Sequence, residues 1–201
     1  MDPEKYKYYL GLFITAFKND GVHVNTLYRL IYIYLVAEKY LYEGRNFYEN
    51  EILLDERTGI ADKENITKGL NILKINDLIT ENNNTIKPSE ALIDKIKKSE
   101  SDRVKKDFNK IMFFVRALKI FTDDEILEIF YKEPNINESY SRNIETIKLS
   151  NNKLIRVLKE IKEKYDEDNK ADSYDVFVFW LNKIINDYYD AKFTATKNGQ
   201  N

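Results

Sequence analysis

The side chains that carry most enzyme chemistry are scarce in this chain. His23, between Val22 and Val24, is its one histidine, and there is no cysteine. A base–nucleophile pair built on imidazole or thiolate has almost nothing to draw on. Disulfides and cysteine-based zinc sites are excluded, which fits a reducing compartment. His23, just after a turn, reads as a structural or surface residue. Neither GxxxxGK[ST] nor GxGxxG occurs, so no phosphate cradle of those kinds is expected. The carboxylates Asp123, Asp124, Glu125 and Glu128 could suggest a metal site. They follow Thr122 in a capping-box pattern, however, where acids meet free N–H groups and oppose the helix dipole. Asp166, Glu167 and Asp168 read as a solvated linker. The expectation is no catalytic residue, no metal and no cofactor.

Nucleic-acid chemistry has more candidates. The segment from Lys63 to Pro88 reads as a helix with Ile66, Leu70 and Leu73 inward, then two extended runs, Leu78–Thr80 and Thr85–Lys87, around Asn82, Asn83 and Asn84. Asparagine tolerates left-handed turn geometry, so a hairpin follows the helix, as in a winged helix-turn-helix. Lys63, Glu64, Thr67, Lys68, Asn71 and Lys74 would face outward. Asparagine can read adenine, and lysine can reach guanine or phosphate. Against this, the helix has no arginine, and Glu64 sits near its N-terminal end, where base contacts concentrate. Lys87 is the only base in the wing. From Leu92 to Lys119, nine Lys/Arg stand against four acids, a net of +5. Lys95, Lys97, Lys98, Arg103, Lys105, Lys106 and Lys110 are the candidates there for phosphate contact. From Phe121 to Thr146 the balance is −5, so the two stretches could also solvate adjacent helices, face each other, or meet a charged partner protein.

The elements that must position these residues are mostly helical. With 3 prolines and 6 glycines, little punctuates 201 residues. Helices are expected at Tyr6–Lys18, from Asn25 or Thr26 to about Tyr42, and at Phe47–Leu54. Asp62 is a suitable N-cap for the candidate recognition helix. A further helical stretch runs from Ser89 to about Ile120 with a break near Ser99–Asp102, and another helix spans Glu125–Tyr131. Pro134 is read as its end, with "NINESYSRN" as a loop. A long helix is expected from roughly Ile144 or Ser150 to Tyr165, and a last one from Asp172 or Ser173, with Phe177, Trp180, Leu181, Ile184 and Tyr188 on its apolar side. The fold class is mainly α: a winged-helix-like part with a small β-hairpin over residues 1–90, a helical part over 91–193, and a disordered tail over 194–201.

The chain has 15 tyrosines and 11 phenylalanines, and Tyr6, Tyr8, Tyr9, Tyr28, Tyr32, Tyr34, Tyr40 and Tyr42 crowd the first two helices. On the second, Leu27, Leu30, Ile31, Tyr34 and Leu35 make one face. Tyr28, Tyr32, Val36 and Tyr40 lie off it and are candidates for a protein interface, where amphipathic tyrosine is favoured. The competing explanation is compositional, since 21 asparagines accompany the abundant Tyr, Ile and Lys. Balanced totals, 32 Lys+Arg against 34 Asp+Glu, argue against a sequence-independent DNA coat. The most apolar window, Leu27 to Ala37, is too short to span a bilayer and is interrupted by Arg29. The first ten residues lack the pattern of a secretory signal. A cytoplasmic protein with no membrane contact is expected.

In order, "YKYYLGLFITAF", "NTLYRLIYIYLVAEKYL", "ITKGLNILKINDLIT" and "KIMFFVRALKIFTDDEILEIFYKEPN" resemble the small middle component of bacterial three-component ABC-ATPase systems, including Lamassu-type anti-phage complexes. The resemblance covers roughly Tyr6 to Asn135, and the helices beyond are unmatched. It implies a non-catalytic adaptor that joins an SMC-like ATPase subunit to an effector subunit such as a nuclease, restraining the effector until foreign DNA is sensed. Double-stranded DNA would be a further partner. The alternative is a winged-helix, sequence-specific DNA-binding regulator of transcription or replication; an enzyme of unrecognised type is a third reading.

Overall fold

The computed structural model describes residues 3–42, 51–54, 63–165 and 170–198. In chain order these form α1 (Pro3–Phe17), β1 (Val22–His23), α2 (Val24–Tyr42), β2 (Glu51–Leu53), α3 (Lys63–Ile75), β3 (Ile79–Asn82), β4 (Thr85–Pro88), α4 (Glu90–Lys97), α5 (Asp102–Leu118), α6 (Asp123–Lys132), α7 (Pro134–Arg142), β5 (Thr146–Lys148), α8 (Lys153–Tyr165) and α9 (Ser173–Asn198). The chain is mainly α with a small antiparallel sheet. It forms two compact units, Met1–Tyr32 with Leu53–Asp123 and Ile33–Ile52 with Asp124–Asn201. The division therefore does not fall at residue 90, because α5 belongs to the core built on α1: Phe13 and Phe114 meet edge to face at 6.1 Å.

In the first unit α1 is apolar on nearly every side and is buried accordingly, with Tyr6, Leu10, Phe13, Ile14 and Phe17 at most 6% exposed. It packs against α3, α4, α5 and β4. Residue 69 permits the α1–α3 contact. A Cβ there would stand 2.7 Å from Leu10 Cδ1, 3.2 Å from Tyr6 Cβ and 3.3 Å from the Lys7 backbone nitrogen. The end of α3 is closed by paired bonds, from Leu78 N–H to Leu73 O and from Asp77 N–H to Lys74 O, both 3.0 Å. Asp77, at φ 55°, takes the left-handed position that glycine usually fills. The chain then turns straight into the β3–β4 hairpin. Asn82 faces Thr85 across a two-residue loop of Asn83 and Asn84, with φ 48° and 60°. β1 adds a third strand, in the order β1-β4-β3. Gly21, at φ 73°, lets the chain enter β1 where any Cβ would meet Ile86 O at 2.9 Å.

In the second unit the constraint is polar. Glu133 is fully buried and caps α7: its Oε2 accepts the backbone N–H of Asn135 and of Ile136 at 3.1 and 3.0 Å, and Oε1 accepts Asn135 Nδ2 at 2.6 Å. Asn135 Oδ1 accepts the Lys153 N–H at the start of α8, and its Nδ2 also reaches Asn152 Oδ1. Asn152 in turn donates to the α2 carbonyl of Val36 at 2.6 Å. One chain of bonds thus ties three helices, and β2 pairs with β5 beside them.

Several expectations change here. Pro134 opens a helix rather than ending the order: its fixed φ suits the first helical position, and Glu133 supplies the cap. Glu51–Leu53 is a strand, not the end of a helix; positions 47–50 and the proposed cap Asp62 lie outside the described residues. The last helix continues to Asn198, into the stretch expected as a tail. Tyr28, Tyr32 and Val36 are not an open face, being 6%, 1% and 0% exposed. Tyr28 shares a 2.9 Å hydrogen bond with Thr67, and the half-buried Tyr40 donates to Leu158 O. Residues on both faces of α2 are buried. Among the described residues, no helix is long and apolar enough to cross a membrane.

Gly69→Ala is expected to destabilise the first unit. The overpacking cost of roughly 1–3 kcal/mol exceeds the roughly 1 kcal/mol that alanine gains as a helix former, and Gly69→Leu costs more. Urea unfolding reads this; a raised midpoint for the alanine variant would contradict the close approach. In the second unit, Glu133→Gln must aim an amide donor at either the backbone N–H groups or Asn135 Nδ2. Asn135 cannot turn to accommodate it without abandoning Lys153. The expected loss is about 1–3 kcal/mol, with faster hydrogen exchange at the Asn135 and Ile136 amides.

Candidate nucleic-acid interface

Two surfaces of the first unit carry the residues singled out for nucleic acid. The first is the outer face of α3. Its inner face, Ile66, Gly69, Leu70 and Leu73, is buried. That leaves Glu64, Thr67, Lys68, Asn71 and Lys74 exposed and Lys63 half-exposed. The helix lies as expected, but its chemistry is compensated. Lys68 pairs with Glu64 at 2.5 Å, and this contact holds the Glu64 carboxyl below the usual carboxylate range. Lys74 pairs with Glu81 on β3. Thr67 is turned to Tyr28 and to the Lys63 carbonyl. Exposed ion pairs are cheap to break, so these lysines are not locked. What matters is that each brings a carboxylate to the surface a phosphate would approach. Lys87, exposed on β4 opposite Thr80, acts electrostatically on Asp20, which is also bonded to Lys119.

The second surface is the helix pair α4–α5. Ser89 caps α4 by accepting the Leu92 N–H, and Ser101 caps α5 by accepting the Val104 N–H. Lys95, Lys97, Lys105 and Lys106 are exposed, and Asp94 acts electrostatically on Lys97. The other cations are engaged. Lys98 pairs with Asp94 at 2.6 Å. Arg103 lies 3.7 Å from Asp107 and 5.7 Å over the Tyr8 ring, while the Tyr8 hydroxyl donates to Asp107 at 3.2 Å. Burial, then Asp107, push the Tyr8 hydroxyl's pKa well up, so it stays a donor. Arg103 therefore serves the α1–α5 contact. Lys110 is half-buried.

The structure adds residues that the sequence reading did not place in a site. Phe113 on α5 and Ile120, just past its end, are 53% and 73% exposed, and Arg116 lies 5.9 Å over the Phe113 ring. Lys106, Asn109, Phe113 and Arg116 recur at helical spacing on one exposed face of α5, and Ile120 follows just beyond it. The signal in the sequence was an apolar count on α5 greater than one buried stripe can hold.

His23 Nδ1 accepts the Asn25 N–H at 3.3 Å. Asp123 accepts from Thr26, Glu125 accepts from Tyr189, and Glu128 lies 3.9 Å from Lys132. These acids open α6 and turn to different partners. Compared with known protein families, curated proteins and solved structures, the chain gives no match.

If carboxylates keep phosphates off α3, Glu64→Gln combined with Glu81→Gln should raise non-specific duplex affinity at low salt. Binding would also become more salt-sensitive, by about 0.9 in the log–log slope for each new phosphate contact. Fluorescence anisotropy across a salt series measures it; an unchanged slope would mean that the α3 face takes no part.

Proposed function

We propose that this chain is a non-catalytic adaptor, a regulatory subunit of a bacterial anti-phage complex that links an SMC-like ATPase to an effector such as a nuclease. In this reading its first unit is a winged-helix module that serves as scaffold. Double-stranded DNA is met through the phosphate backbone by α4–α5 rather than read by α3. The observation that carries the DNA part of the reading is the contrast between the two surfaces. The α3 lysines at 68 and 74 each have a carboxylate beside them, whereas Lys95, Lys97, Lys105 and Lys106 stand exposed on consecutive helices. The winged-helix assignment is supported by the order of a helix, a tight hairpin and a third strand supplied from before α2. The adaptor role rests on the order of sequence segments that resemble the middle components of such systems. The exposed Phe113, Arg116 and Ile120 suit a protein partner.

Expression together with its neighbouring genes tests the role directly. Co-purification with an SMC-like ATPase is expected. An isolated chain that ignores those products and binds one short duplex at nanomolar affinity would instead support a sequence-specific regulator. For the DNA surface, Lys105→Glu with Lys106→Glu is expected to weaken duplex binding and flatten the log–log salt slope by about 2. Lys68→Glu with Lys74→Glu should change little. The opposite ranking would return α3 to the role of reading head.

A further inference from the structure

Helix α9 presents one face to solvent over nearly its whole length. Asp175, Phe179, Asn182, Lys183, Asn186, Asp190 and Phe193 are all exposed and recur at helical spacing. Phe179 is 42% and Phe193 68% exposed. The opposite side, with Val176, Phe177, Trp180, Leu181 and Ile185, is buried. The order of residues along the exposed face has a symmetry of its own. Phe179 and Phe193 stand seven residues to either side of Asn186, and Asn182 and Asp190 stand four to either side.

We infer that this face binds a second copy of the same chain, the two α9 helices lying antiparallel about a twofold axis through Asn186. Such an interface is self-complementary, since each contact occurs twice. Residues equidistant from the axis face each other. Phe179 of each copy meets Phe193 of the other, and aromatic pairs of this kind are favoured beyond their area. Asn182 donates its amide to Asp190 of the other copy. The two Asn186 amides, each with a donor and an acceptor, bond across the axis, a polar pair of the sort that fixes register between helices. Lys183 falls between Asp187 and Asp190 of the other copy. A parallel pairing would instead set Lys183 against Lys183 and Asp190 against Asp190, and like charges at that range are unfavourable. The charge order therefore selects the antiparallel arrangement and a copy of this chain as occupant.

The absence of cysteine makes the test clean. Under mild oxidation at micromolar concentration, Asn186→Cys should form a covalent dimer. Phe179→Cys alone should not, because the two copies of position 179 would lie about 20 Å apart along the helices. Phe179→Cys with Phe193→Cys should cross-link. Sedimentation of the full chain should give a dimer, and Phe193→Glu, at an exposed position, should give a folded monomer. A monomeric wild-type chain would overturn the proposal, as would a dimer in which Phe179→Cys cross-links to itself and Asn186→Cys does not.

Discussion

Helix α3 lies so close to α1 that any side chain at position 69 would crowd it. A Cβ at position 69 would press on Leu10, Tyr6 and the α1 backbone together. This contact fixes the rotation of α3 about its axis. Ile66, Leu70 and Leu73 turn inward, and the outer face must then be Glu64, Lys68, Asn71 and Lys74. It also fixes where the hairpin begins, because Asp77 closes the helix by a left-handed residue and leaves no slack before β3. Lys74 and Glu81 come together as a consequence. The compensation of charge on α3 thus follows from how the helix is packed.

The second unit relies on a different physical principle. Its helices meet around a buried carboxyl group, two asparagine side chains and the backbone groups that helix ends leave open. Each polar atom in the network has a partner, which is the condition under which burial of such groups is tolerated. The arrangement specifies the angle at which α7 and α8 leave their common corner. It also leaves α9 to complete the apolar core with Phe177, Trp180 and Leu181, while its other side stays outside that core.

Much of the first unit was legible in the sequence because its signals are local. The Ser99–Asp102 break between α4 and α5, the asparagine turn and the inward stripe of α3 each depend on a few adjacent residues. The misreadings have non-local causes. Pro134 stops a helix or starts one according to what precedes it, and a buried glutamate as N-cap is not visible as such in sequence. Glu51–Leu53 is a strand because β5, almost a hundred residues later, pairs with it. The tyrosines of α2 looked like an interface because helical periodicity cannot reveal that neighbours cover both faces. The site was legible as a list of cations but not as a surface. Which lysines meet a carboxylate depends on Glu81 lying beside Lys74, and Arg103 proves to be engaged with Asp107 and Tyr8.

The central claim is that α4–α5, and not α3, meets nucleic acid. Single cysteines can be placed in this cysteine-free chain and coupled to a photoactivatable cross-linker in the presence of duplex DNA, with co-purifying partners retained. Lys106→Cys should cross-link to duplexes of unrelated sequence and lose the signal as salt rises, while Asn71→Cys should not. Efficient cross-linking from position 71 to one particular duplex, with none from position 106, would contradict the account.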